Sequence, residues 1–184
     1  NMAITRLNNN SLTSITALPT AITTGKILQV QSTFYNTATT QSITANTDTT
    51  INNLSVNITP AASSSKIMIF IRLFHESSNT DSQNSGCFVI RDSTPINVGA
   101  TAGSRIHTML SLPQNYTSPN ASSTPETFNG FTIDSPNTSS QITYHIGYRI
   151  AYTSTLYINQ TVDSADNSSY ERGSSEIIAM EIAG

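Results

Sequence analysis

Ser65-Lys66-Ile67-Met68-Ile69-Phe70-Ile71-Arg72-Leu73-Phe74 is the longest apolar run in the chain, and its alternation decides the fold. Alternate residues of a strand point to opposite faces. One face is then Ile67, Ile69, Ile71 and Leu73, all aliphatic and three of them β-branched, which favours strand over helix. The other is Lys66, Met68, Phe70, Arg72 and Phe74, apolar but carrying two cations. The first suits a dry core. The second suits a partly buried, wet contact between subunits, because burying Lys66 and Arg72 completely is costly.

The same alternation recurs along the chain. Leu28, Val30 and Phe34 share a face opposite Gln29, Gln31 and Thr33. Leu54, Val56 and Ile58 alternate with Ser55, Asn57 and Thr59. Ile142, Tyr144, Ile146, Tyr148 and Ile150 form the clearest one-sided stripe. Cys87 to Asp92, Arg105 to Leu112 (with Ile106, Thr108 and Leu110 on one side), Phe128 to Asp134 and Leu156 to Ile158 read as further strands. The last, Ser174 to Ile182, has apolar residues on both faces, as expected of a central strand or an oligomer axis. Tyr35 to Thr50 reads as a loop or weak edge, and Glu76 to Ser85, Leu112 to Glu126 and Val162 to Gly173 as polar loops. Eight to ten strands separated by turn signals, with no helix of three turns, predict an all-β, antiparallel, jelly-roll-like β-sandwich over residues 26–184.

Residues 1–25 differ. Ile4, Leu7, Leu12, Ile15 and Leu18 recur at spacings of three to five, and Asn8-Asn9-Asn10 opposes a long helix. This segment reads either as a short N-terminal attachment arm or as an ordinary first strand of the domain. Met2 reads as a native start, and a domain without a preceding coiled-coil or β-helical shaft is expected.

Composition narrows the function classes. Of the 184 residues only 10% are charged, the net charge is −3, and about 40% are Asn, Ser or Thr. The surface is therefore hydroxyl and amide rather than ionic, with no basic footprint for nucleic acid. No apolar run reaches the roughly 20 residues of a membrane span, so neither nucleic acid nor membrane insertion is expected. The single cysteine, Cys87, lies in an apolar run and reads as a buried hydrophobe.

Catalytic signals are weak. His75, His107 and His145 form no metal-ligand spacing, and there is no G-x-S-x-G elbow or phosphate cradle. His107 and His145 fall on polar strand faces; His75 follows an apolar strand beside Glu76. Asp81, Asp134, Asp163, Asp166 and Glu171 read as loop acids and Glu76 and Glu176 as strand-end acids, not a carboxylate pair across a cleft. Asp163-x-x-Asp166 lacks the calcium-loop pattern. A non-enzymatic protein without cofactor or metal is expected.

Four stretches in order carry a family resemblance: S-S-S-K-I-M-I-F-I at Ser63 to Ile71, I-R-D-S-T-P-I at Ile90 to Ile96, D-S-P-N-T-S-S at Asp134 to Ser140, and Y-E-R-G-S-S-E-I-I-A-M-E-I at Tyr170 to Ile182. Preceded by G-K-I-L-Q-V at Gly25 to Val30, they resemble small structural proteins and fibre domains of marine tailed bacteriophages. The resemblance implies a virion surface component, a homotrimer on a jelly-roll-like sandwich. Its leading form is a capsid decoration (cement) protein that binds the major capsid protein or other virion proteins. The alternative is a tail-fibre or receptor-binding tip contacting host surface glycan or protein. A glycan-degrading tail enzyme would need clustered carboxylates in a groove. The candidate subunit interface is Met68, Phe70, Arg72 and Phe74 with Ile178 and Met180 of the last strand.

Overall fold

The structure is a computed structural model and describes residues 26–78, 84–111 and 123–184. The arm residues Ile4, Leu7, Leu12, Ile15 and Leu18 lie outside the described residues. Eleven strands follow in order: β1 (Ile27–Tyr35), β2 (Thr39–Ile43), β3 (Thr49–Ile58), β4 (Lys66–Ser77), β5 (Ser85–Arg91), β6 (Thr94–Ile96), β7 (Leu110–Ser111), β8 (Glu126–Asp134), β9 (Ile142–Ile150), β10 (Ser154–Ile158) and β11 (Ser175–Ile182). The described residues are all-β, in two antiparallel sheets packed as a sandwich.

The long strand β4 organises the first sheet. β8 pairs with one edge of it from Ile67 to His75. On the other edge β11 pairs with Lys66 to Arg72 and β10 with His75 to Ser77, so β10 and β11 lie end to end. Outside them β1 pairs with β11 and β2 with β10. The second sheet runs β3-β9-β5, with β6 and β7 end to end on the far edge of β5.

Asn159 holds the break between β10 and β11. It is fully buried with a φ of 60°, a left-handed backbone that asparagine tolerates better than most residues. Its Nδ2 donates to the carbonyls of Tyr35 and Thr37, bridging the gap between β1 and β2, and its Oδ1 accepts from Ser175 Oγ at 2.6 Å. The chain then leaves the sheet as a loop and returns at Gly173, whose missing side chain leaves room for the Phe74 ring. A second left-handed asparagine, Asn53, sits where the β3–β9 register shifts, as a bulge requires.

The core lies between the sheets, and its aliphatics are those of the alternating stripes. Ile67, Ile69, Ile71 and Leu73 meet Leu54, Val56, Ile58, Ile142, Ile146 and Ile150. Cys87 is buried among them, and burial pushes its thiol pKa up, away from reactivity.

Of the two readings of Tyr35 to Thr50, the edge strand holds: Thr39–Ile43 lies at the edge of the first sheet, where β10 supplies a ladder for its polar residues. Three expectations need correction. Among the described residues of Arg105 to Leu112 only Leu110–Ser111 forms strand: the alternation finds no continuous partner edge. β4 continues through His75, Glu76 and Ser77, all buried, so Glu76 and Ser77 belong to the strand and not to a polar loop. Asp134 is no loop acid. It closes β8, buried, where Arg91 Nη1 reaches both its oxygens at 2.9 and 3.1 Å and the Tyr144 hydroxyl donates to it at 2.7 Å.

Candidate functional site

The register of the first sheet assembles one continuous outward face. Val30, Met180, Met68 and Ile133 lie in one row across β1, β11, β4 and β8. Ser32, Ile178, Phe70 and Phe131 form the next, and Phe34, Glu176, Arg72 and Asn129 the one after. A monomeric protein faces such a surface to water only at a cost, since contiguous apolar patches beyond a few hundred Å² mark interaction sites.

Exposure is greatest at the two margins. Val30 and Phe34 on β1 are 52% and 57% exposed, and Phe131 and Ile133 on β8 are 62% and 45%. Met68, Phe70, Ile178 and Met180 between them are half-buried. Aromatic side chains present roughly 150–250 Å² each, so Phe34 and Phe131 alone leave roughly 200 Å² open.

Between β11, β4 and β8 the face carries a shallow groove of about 380 Å³, lined by Phe70, Arg72, Phe131, Glu176 and Ile178 among others. Phe70 and Phe131 form one wall, ring centroids 5.7 Å apart. Arg72 Nη2 lies 3.6 Å from Glu176 Oε2 and donates to Ser174 Oγ at 3.2 Å, while its Nε is buried without a partner. The groove is thus apolar with one loosely paired cation and anion in its lining.

Five of the six sequence candidates (Met68, Phe70, Arg72, Ile178 and Met180) come together on this face. Phe74 points to the same side but lies under the chain's own Gly173. Sequence reading missed Val30, Phe34, Phe131 and Ile133 as members. The signal was present: Phe131 and Ile133 fall out of phase with Phe128, so β8 carries apolar side chains on both faces. For β1, Val30 and Phe34 do share a face, and it is the outer one; a register shift between Ile27 and Gln29 puts Ile27, opposite Ile182, in line with them instead of Leu28. The inner side is polar because partners distant in sequence satisfy it: Gln29 Nε2 donates to Glu181 Oε2 and Thr33 Oγ1 to the Ser55 carbonyl.

The buried polar groups serve as ties. Glu181 is fully buried. Burial would raise its pKa, but donors from Ser65, Gln29 and the Ala61 amide outweigh that and hold it below the usual value. The Glu76 carboxylate accepts from Thr124 N, Thr124 Oγ1 and Val162 N, pinning two loops to β4. His75 packs in the core between Phe128, stacked at 5.1 Å, and Tyr148, edge-on at 5.4 Å. Burial lowers its pKa to about 4.

His107 sits in a loop, its Nε2 3.3 Å from Asp48 Oδ2, and Arg149 takes the other Asp48 oxygen at 3.0 Å. Burial lowers the pKa of His145, and Asp92 opposes the shift. The Asp163 carboxylate is occupied by Ala165 N and the Tyr170 hydroxyl. Among the described residues no group of three His, Cys, Asp or Glu side chains is placed to hold a metal ion. No protein-family model and no curated protein matches the chain.

Proposed function

We propose that the protein is a non-enzymatic virion structural protein, a capsid decoration protein that seats on the outer surface of a tailed-phage head as a homotrimer. The observation that carries this reading is the outward face of the first sheet, where Val30, Met180, Met68 and Ile133 form an apolar row across all four strands. Such a face supports assembly.

The strand order supports the same reading. Counting β1 with β2, β6 with β7, and β10 with β11 as single split strands leaves eight. Their orders are first-eighth-third-sixth in one sheet and second-seventh-fourth-fifth in the other. We read this as two nested Greek keys, a jelly roll, an architecture common among viral capsid and lectin domains. That step is fold-level analogy; the phage assignment itself rests on the sequence resemblance.

Quantitative mass spectrometry of purified virions, with a reconstruction locating the chain, tests the proposal. Hundreds of copies on the head are expected. Tens or fewer on the tail would replace it with a receptor-binding role, and absence from virions would end it.

A further inference from the structure

We propose that the side chains of Gln29, Thr33 and Gln41 guard the free edge of β3, standing where the backbone of a further strand would bond and so closing the second sheet to strand addition by another copy.

β3 needs such a guard. It is ten residues long and ends the second sheet, where among the described strands it pairs with β9 alone. From Thr49 to Ile58 it holds no charged residue and no proline. Folded proteins commonly blunt an edge with lysine or proline, because its unpaired N–H and C=O groups are a template for pairing with another chain. Neutral stretches of high strand propensity without proline pair most readily. The bulge at Asn53 splits the edge into two arms, and each arm has its own guard.

On the first arm Gln41 of β2 acts as a ladder residue. Its Nε2 donates to the Thr50 carbonyl at 2.8 Å, and its Oε1 accepts from the Asn52 amide at 2.9 Å. One side-chain amide thus closes a carbonyl and an N–H two residues apart, groups that a neighbouring strand would otherwise bond. On the second arm Thr33 Oγ1 of β1 donates to the Ser55 carbonyl at 2.6 Å. Gln29 Nε2 donates to the carbonyl of Thr59, just past the strand, at 2.7 Å.

The guards are themselves held. Gln29 Nε2 also donates to the buried Glu181 carboxylate, and Gln29 Oε1 accepts from Gln31. β1 and β2 are fixed in the first sheet by their ladders to β11 and β10. The sandwich itself therefore presses these side chains against the edge, which gives the polar inner side of β1 a purpose beyond filling space.

The test is Thr33→Val combined with Gln41→Met, which removes a guard from each arm and keeps side-chain size. At micromolar concentration the double variant should gain open-ended mass roughly tenfold or more faster than the wild-type chain, since an unguarded edge recruits further strands. Light scattering and thioflavin T fluorescence read the growth. Thr33→Ser, which keeps the hydroxyl, should stay at the wild-type rate. Adding Asn57→Lys, a charge at an exposed position of β3, should stop the growth. Ser154→Ala removes the buried Ser77–Ser154 hydrogen bond within the first sheet and should not cause growth. A double variant as inert as wild type, growth undiminished by Asn57→Lys, or equal growth in Ser154→Ala overturns the proposal. If far-UV circular dichroism shows the double variant unfolded, Gln41→Met alone, with and without Asn57→Lys, carries the same test. Growth without limit differs from the fixed mass of a homotrimer, so the outcome is independent of the role on a virion.

Discussion

Phe70 and Phe131 face one another across the β4–β8 ladder on the outer side of the sheet, their rings tilted by 34° with centroids 5.7 Å apart. Inside one protomer such a pair contributes about 0.5–1.5 kcal/mol beyond its burial. Phe70 also lies opposite Ile178 on its other edge, so it is the centre of the face where Phe131 is the margin.

Phe70→Asp should therefore have two separable effects. Loss of the ring pair lowers protomer stability by about 1–3 kcal/mol, since Phe70 is only half-buried. The charge placed at the centre of the contact should abolish self-association at micromolar concentration. Sedimentation velocity reads the second and urea unfolding the first. Unchanged sedimentation with lowered stability would confine Phe70 to an intramolecular role.

His75 should make the protein acid-sensitive. Its pKa is near 6.5 in the unfolded chain and about 4 in the fold, where burial between Phe128 and Tyr148 disfavours the charged ring. Between those values the unfolded state binds more protons, so stability falls as pH falls, and the loss is complete just below pH 4. At 1.36 kcal/mol per pH unit this amounts to about 3 kcal/mol. His75→Phe, which preserves ring stacking and cannot protonate, should flatten urea midpoints between pH 6.5 and 4. Glu181, held below its usual pKa, contributes stability present above about 4.5 and lost as pH falls through its lowered value. That loss should remain in the variant.

Asp134 joins the two sheets. It ends β8 in one sheet and binds Arg91 of β5 and Tyr144 of β9 in the other. Asp134→Ala should cost about 3 kcal/mol, because it strands a buried hydroxyl and a partly buried guanidinium. Tyr144→Phe removes one neutral donor and should cost about 1 kcal/mol. If Asp134→Ala changes the urea midpoint no more than a surface substitution, the clasp is not structural.

How far the sequence revealed this molecule depends on where each residue's partner lies. The stripe of Ile67, Ile69, Ile71 and Leu73 is legible because burial on one face imposes a period of two whatever the partner. Met68 and Phe70 were legible as a second face for the same reason. Alternation alone cannot say which way a face points. Val30 and Phe34 turn outward because Gln29 finds Glu181, 152 residues away, and Thr33 finds Ser55. Buried polar residues hid the end of β4, where Glu76 is satisfied by Thr124 and Val162 from distant loops. Arg105 to Leu112 shows the converse: an alternating pattern forms little strand without a free edge to pair with.

Removal of residues 2–18 tests the division of labour between the segment before β1 and the sandwich. Among the described residues a full core and the outer face are supplied from Ile27 onward, so the truncated protein should unfold cooperatively and keep its oligomeric mass. Under the decoration role, with Ile4, Leu7, Leu12, Ile15 and Leu18 as the attachment contacts, it should no longer bind heads that lack this protein. Thermal unfolding and light scattering read the first expectation, and co-sedimentation with such heads the second. Co-sedimentation at wild-type levels would move the attachment surface onto the sandwich itself, and loss of folding would make the segment part of the domain.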